Sequence, residues 1–109
     1  MRLPILRSEE TEVRAASLTV LTPGQAERVY RLEQPETLIG RSPASHLCVT
    51  DDSISREHAV VLFEGGDFLV EDLQSTNGTR VNGKRVRSTR LSDGDEIQIG
   101  QTRLRFALH

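Results

Sequence analysis

Short runs of alternating apolar and polar residues, each closed by a turn-forming pair, dominate this chain. Ile97 and Ile99 alternate with Glu96 and Gln98, and Leu104, Phe106 and Leu108 alternate with Arg103 and Arg105. A period of two sends one set of side chains to a core and the other to solvent, as in a half-buried strand. Gly100-Gln101 joins the two as a tight hairpin. The run Ala59-Val60-Val61-Leu62-Phe63 lacks alternation, which predicts a more heavily covered strand within His58–Phe63. Gly65-Gly66 turns it into Phe68–Asp72, giving a central hairpin. Further candidates are Leu18–Thr22, Glu27–Leu32, Thr37–Gly40, Leu47–Val49, Thr79–Val81 and Arg85–Val86, with Asn82-Gly83 and Asp93-Gly94 as added turns. No stretch carries a convincing helical period, and about ten short strands at close spacing predict an all-β sandwich.

Residues 1–16 hold Pro4, mixed charge and no sustained periodicity, so they are expected to form an arm, with one folded domain over residues 17–109. An apolar fraction of 36%, no Trp and three Phe point to a core of Val, Leu and Ile. The single cysteine, Cys48, excludes an internal disulfide and a paired-cysteine zinc motif. No apolar run approaches the roughly 20 residues of a membrane span, and the start is too short and interrupted for a signal peptide. A soluble protein of the cytoplasm, without membrane insertion, is the expectation.

The formal net charge of −2 argues against a general nucleic-acid binder, which needs many cations on one face. Charge is nonetheless segregated. Arg80, Lys84, Arg85, Arg87 and Arg90 follow one another without an intervening acid, whereas Glu9, Glu10, Glu12 and Asp51, Asp52 are acidic clusters. A solvated sheet edge is the plain reading of that basic stretch. Among 14 basic residues only Lys84 is a lysine, and arginine is the better bidentate partner for phosphate and carboxylate.

Three pieces stand where strands should end: Gly40-Arg41, Ser55-Arg56-Glu57-His58, and Ser75-Thr76-Asn77-Gly78-Thr79. Each has an ordinary explanation alone. Gly40-Arg41 fits a strand end beside a surface arginine, Ser55 a cap with His58 in a polar niche, and Asn77-Gly78 a type I′ hairpin tip. Together, in this order and on loops, they gather a guanidinium, hydroxyls and an amide suited to a phosphate ester on a peptide. The stretch from Thr50 to Glu57 is the one long irregular segment inside the domain, and such loops more often serve function than connection.

Ile39-Gly40-Arg41, Ser55-x-x-His58 and Thr76-Asn77-Gly78-Thr79, followed by Val81-Asn82-Gly83, resemble the signature of forkhead-associated (FHA) domains, which bind phosphothreonine peptides. The likeness runs from about Ser17 to Leu108. It implies an eleven-stranded sandwich of two twisted sheets, with the binding loops at one apex. It further implies a phosphothreonine-dependent signalling module whose partners are phosphorylated by a Ser/Thr protein kinase. Arg41, Ser55, Arg56 and Thr76 would then address the phosphate, which carries about −1.5 to −2 charge near neutral pH. Asn77 would bond the peptide backbone, while Gly40, His58 and Gly78 support the loops. Side-chain selectivity after the phosphothreonine would arise near Ser53 and between Arg80 and Arg85. No cofactor or metal is implied.

Rival readings come from other classes. Ser55 with His58 as nucleophile and base lacks a strand-turn-helix elbow and a third member, so an enzyme is not expected. His46, Cys48 and His58 offer too few neighbouring ligands for a metal. The alternative of weight is a domain of the same fold that binds partners without phosphorylation. Thr11, flanked by Glu9, Glu10 and Glu12, is a candidate kinase target whose phosphate folds back into the pocket, against the plainer reading of a solvated tail.

Overall fold

The computed structural model describes residues 14–109, which contain eleven strands and no helix. One sheet has six strands in the order β2-β1-β11-β10-β7-β8. These are β1 (Ala16–Leu21), β2 (Arg28–Arg31), β7 (Thr79–Val81), β8 (Lys84–Val86), β10 (Glu96–Ile99) and β11 (Thr102–Leu108). The other has five in the order β4-β3-β5-β6-β9: β3 (Glu36–Gly40), β4 (Leu47–Cys48), β5 (Ala59–Glu64), β6 (Asp67–Asp72) and β9 (Ser88–Arg90). All pairs are antiparallel except β3 with β4, which run parallel through Ile39↔Leu47 and Gly40↔Cys48.

The alternating residues behave as their period demands. Leu18, Val20, Ile97, Ile99, Leu104 and Phe106 line the inner face of the first sheet, and Ile39, Ala59, Val61, Phe68 and Val70 that of the second. The sheets meet at Phe68 and Phe106, whose rings lie edge to face with centroids 5.3 Å apart. The β5 run alternates in burial despite its uniform apolarity: Ala59 and Val61 are buried, while Val60 and Leu62 are only half covered on the outer face. Strand β9 was not anticipated, and β1 starts at Ala16, one residue inside the expected arm. Residues 1–13, with Thr11 and the arm's acidic cluster, lie outside the described residues.

Pairing of Ile39 with Ala59, Ala59 with Asp72 and Ile99 with Thr79 brings the ends of β3, β6 and β10 and the starts of β5 and β7 to one end of the sandwich. We call it the apex. The opposite end, the base, carries the turns at Gly65-Gly66 and Asn82-Gly83, both left-handed pairs (φ 58° and 86°; 50° and 85°), as type I′ turns require. Among the described residues no helix is long and apolar enough to cross a membrane.

Candidate functional site

At the apex, β3 ends on Gly40 because nothing larger fits. A Cβ there would stand 2.0 Å from the Arg56 carbonyl oxygen and 2.8 Å from its carbon. That proximity lets the strand exit be stitched to the 50–57 loop: Arg41 N–H donates to the Ser55 carbonyl (3.0 Å) and Ser42 N–H to the Arg56 carbonyl (3.1 Å). The Arg41 side chain is fixed by its Nε–H on the Ile54 carbonyl (3.1 Å). Its two terminal NH2 groups make no hydrogen bond or ion pair among the described residues, and each is a strong charge-assisted donor.

The Ser55 backbone N–H donates to His58 Nδ1 at 3.1 Å. A nitrogen that accepts carries no proton, so the neutral ring is the Nε2–H tautomer, and Nε2 donates to the Gly78 carbonyl at 2.8 Å. His58, fully buried, thereby ties the second loop to the third. Neither ring nitrogen addresses the Ser55 hydroxyl, so the pair is not arranged as nucleophile and base. Ser55 Oγ instead accepts the Thr76 N–H at 3.0 Å, which fills an acceptor site and leaves its O–H to donate elsewhere.

The third loop, residues 73–78, carries the chain from β6 in one sheet to β7 in the other, so Asn77-Gly78 is not a hairpin tip. Asp72 organises it. One carboxylate oxygen accepts the Ser75 hydroxyl (2.5 Å) and the Thr79 hydroxyl (2.8 Å), and the other accepts the Ser75 N–H (3.1 Å). Ser75 Oγ in turn receives Gly78 N–H at 2.9 Å. Burial pushes the Asp72 carboxyl up, but the hydrogen bonds from Ser75 and Thr79 outweigh it and hold it below the ordinary 3.8. Gly78 sits at φ 84°, and a Cβ on it would meet the Arg85 guanidinium at 2.7 Å. Thr76 and Asn77 are left exposed, with Asn77 Nδ2 donating to the Ser53 carbonyl at 2.8 Å.

A second carboxylate anchors the long loop. Asp51 accepts from the Ser53 N–H (2.9 Å) and hydroxyl (2.6 Å) through one oxygen, and from Gln101 N–H (3.2 Å) and the Thr102 hydroxyl (2.9 Å) through the other. Here too burial raises the carboxyl while Ser53, Thr102 and Gln101 lower it further, so it stays ionised below its usual value. Ser53 Oγ also accepts Gln101 N–H at 2.9 Å. The Ser53 side chain is thus committed to the loop's own framework.

Of the residues singled out from sequence, Gly40, Arg41, Ser55, His58, Thr76, Asn77 and Gly78 belong to one bonded network spanning three loops. Arg56 contributes its backbone carbonyl to it, and its exposed side chain forms no ion pair with Glu57 among the described residues. Asp51, Asp72 and Ser75 were missed as loop organisers. The signal was present in the spacings Asp51-x-Ser53 and Asp72-x-x-Ser75, where a carboxylate reaches backbone N–H groups two or three residues on. His46 and Cys48 serve elsewhere: His46 Nδ1 accepts the Leu38 N–H at 2.8 Å, and Cys48 faces the Arg41 carbonyl at 3.6 Å. Among the described residues no three His, Cys, Asp or Glu side chains are grouped to hold a metal.

Comparison with known proteins agrees with this architecture. A family profile described as the FHA domain matches residues 37–100. The chain is 48% identical over 77 residues to the glycogen accumulation regulator GarA of Mycolicibacterium smegmatis, covering 71% of this chain and 49% of that protein. It is 40% identical over 100 residues to an oxoglutarate dehydrogenase inhibitor of Corynebacterium diphtheriae, covering 91% of this chain and 70% of the relative. The match thus spans about half the length of the first relative. Among solved structures, an FHA domain studied for its phosphothreonine-dependent interactions superposes with a TM-score of 0.77 at 33% identity, covering 85% of this chain and 97% of that one.

Proposed function

The chain belongs to the FHA domain family, and on that footing we propose that it is a phosphothreonine-dependent module that recruits partners marked by a Ser/Thr protein kinase. The Arg41 NH2 groups and the Ser55 hydroxyl address the phosphate, with Thr76 Oγ and the Arg56 guanidinium as further donors. Asn77 bonds the ligand backbone with the amide capacity that Ser53 leaves over. His58, Gly40 and Gly78 hold the loops in register. The module, residues 17–109, binds and performs no chemistry, and it works in the cytoplasm.

The observation that carries this reading is the bond from Thr76 N–H to Ser55 Oγ. It anchors the hydroxyl through one lone pair and leaves its O–H free to donate beside an arginine with open NH2 groups, as an anion requires. Hydrogen bonds to a charged group are each worth about 1.5–3 kcal/mol, so Arg41→Ala or Ser55→Ala should weaken binding ten- to a hundred-fold. Fluorescence anisotropy with a phosphothreonine peptide and its unphosphorylated twin tests this. Equal affinity for the twins would sink the proposal in favour of phosphorylation-independent binding.

A further inference from the structure

Strands β8 and β9 are consecutive in the chain, yet each is the last strand of a different sheet. The chain therefore turns from one sheet to the other along a single open edge, and this edge carries the basic stretch. Arg80, Lys84, Arg85, Arg87 and Arg90 are all exposed, and among the described residues only Arg90 has an acidic partner, Asp67 at 3.6 Å. Arg80 and Arg85 stand directly opposite one another across β7 and β8. Like charges in that position oppose pairing, so the isolated fold carries an unfavourable term that an anion would relieve.

The edge is also continuous with the apex. The Arg85 guanidinium rests against Gly78, and a groove of about 640 Å3 opens beside it, lined by Asp72, Gln74, Ser75, Arg85, Val86 and Arg87. Its negative group, Asp72, is turned to Ser75 and Thr79 through three hydrogen bonds, whereas the two arginines have no acidic partner. The groove thus leads away from Thr76 and Asn77 along a row of planar cations suited to carboxylates.

We propose that the β8–β9 edge is a second recognition surface, which takes an Asp/Glu-rich flank of the same peptide whose phosphothreonine occupies the apex. The phosphothreonine reading is needed only to place that flank on the same ligand. Surface charge pairs contribute roughly two- to five-fold each and are screened by salt, so two arginines predict about a tenfold preference for an acidic flank at low ionic strength.

The test uses phosphothreonine peptides of equal length with neutral flanks, an acidic N-terminal flank or an acidic C-terminal flank, together with their unphosphorylated twins. Fluorescence anisotropy is read at low and physiological salt. One acidic flank is expected to bind five- to twenty-fold tighter than the neutral peptide, and Arg85→Gln/Arg87→Gln to reduce that advantage to twofold or less. Arg87→Gln alone, which leaves the Arg85–Gly78 contact in place, should remove part of the advantage while the neutral phosphopeptide binds within twofold of wild type. The proposal is overturned if neither flank helps or if the advantage survives in the double variant. It is equally overturned if a single-stranded oligonucleotide of matched charge competes as well as the acidic peptide. Should neutral phosphopeptide and twin bind alike, the phosphothreonine reading fails, and the unphosphorylated acidic and neutral pair still decides the role of the edge.

Discussion

The two ends of the sandwich use glycine differently. At the base, a Cβ on Gly65, Gly66, Gly83 or Gly94 would meet nothing within 4 Å, so those residues serve backbone conformation alone. At the apex a Cβ on Gly24, in the β1–β2 turn, would likewise meet nothing, but one on Gly40, Gly78 or Gly100 would strike Arg56, Arg85 or Ser53. At the base the long-range bonds, such as Ser17 Oγ with His109 Nε2, join strand ends and regular turns, whereas at the apex they bind irregular loops to one another, as when Asp51 receives Gln101 N–H or His58 reaches the Gly78 carbonyl. Recognition needs that second kind of construction. Loops already bonded to one another lose little conformational freedom when a ligand arrives.

Gly40→Ala should have the largest effect. Its methyl would collide with backbone rather than a flexible side-chain end, costing about 3 kcal/mol or more and breaking the bonds from Arg41 and Ser42 to the 50–57 loop. Urea unfolding and phosphopeptide affinity should both collapse. His58→Ala comes next, at about 3 kcal/mol, because it opens a cavity and leaves the Ser55 N–H and Gly78 carbonyl unpaired. Asp72→Asn keeps the shape but turns an amide donor toward one or more of the three donors, and should cost about 1–2 kcal/mol. Gly94→Ala at the base, with φ 89° and open space around it, should cost only about 1 kcal/mol and leave binding unchanged. Equal losses for Gly40→Ala and Gly94→Ala would erase the distinction between the two ends.

Acid separates the ligand's titration from the protein's. A phosphate with its second pKa near 6 loses charge between pH 7 and 5, so affinity should drop severalfold there while the fold holds. Asp51 and Asp72 have folded values below the ordinary 3.8. Their stabilisation is therefore complete above that value and is lost only as pH falls through the lower folded ones. Near-neutral affinity that tracks loss of structure instead would contradict this, as read by anisotropy and circular dichroism on the same samples.

The sandwich was legible wherever burial imposed a period. Strands β10 and β11 each have one buried face, and their residues alternate accordingly. Strand β9 escaped because Ser88-Thr89-Arg90 sits on an open edge with no apolar residue to bury. The loop residues proposed for the site stand out in sequence through their joint order. Their supports Asp51, Asp72 and Ser75 are marked only by the spacings Asp51-x-Ser53 and Asp72-x-x-Ser75, a weak signal because a carboxylate bonded to loop amides otherwise looks in sequence like any surface acid.

The central claim is that the apex reads phosphate and the base does not. Backbone amide shifts of the 15N-labelled protein, followed by NMR during titration with a phosphothreonine peptide, test it most directly. The account predicts saturable changes at Arg41, Ser42, Ser55, Thr76, Asn77 and Gly78, absent with the unphosphorylated twin. Changes confined to the base, around Ala16, Leu32 and His109, or identical changes with both peptides, would contradict it.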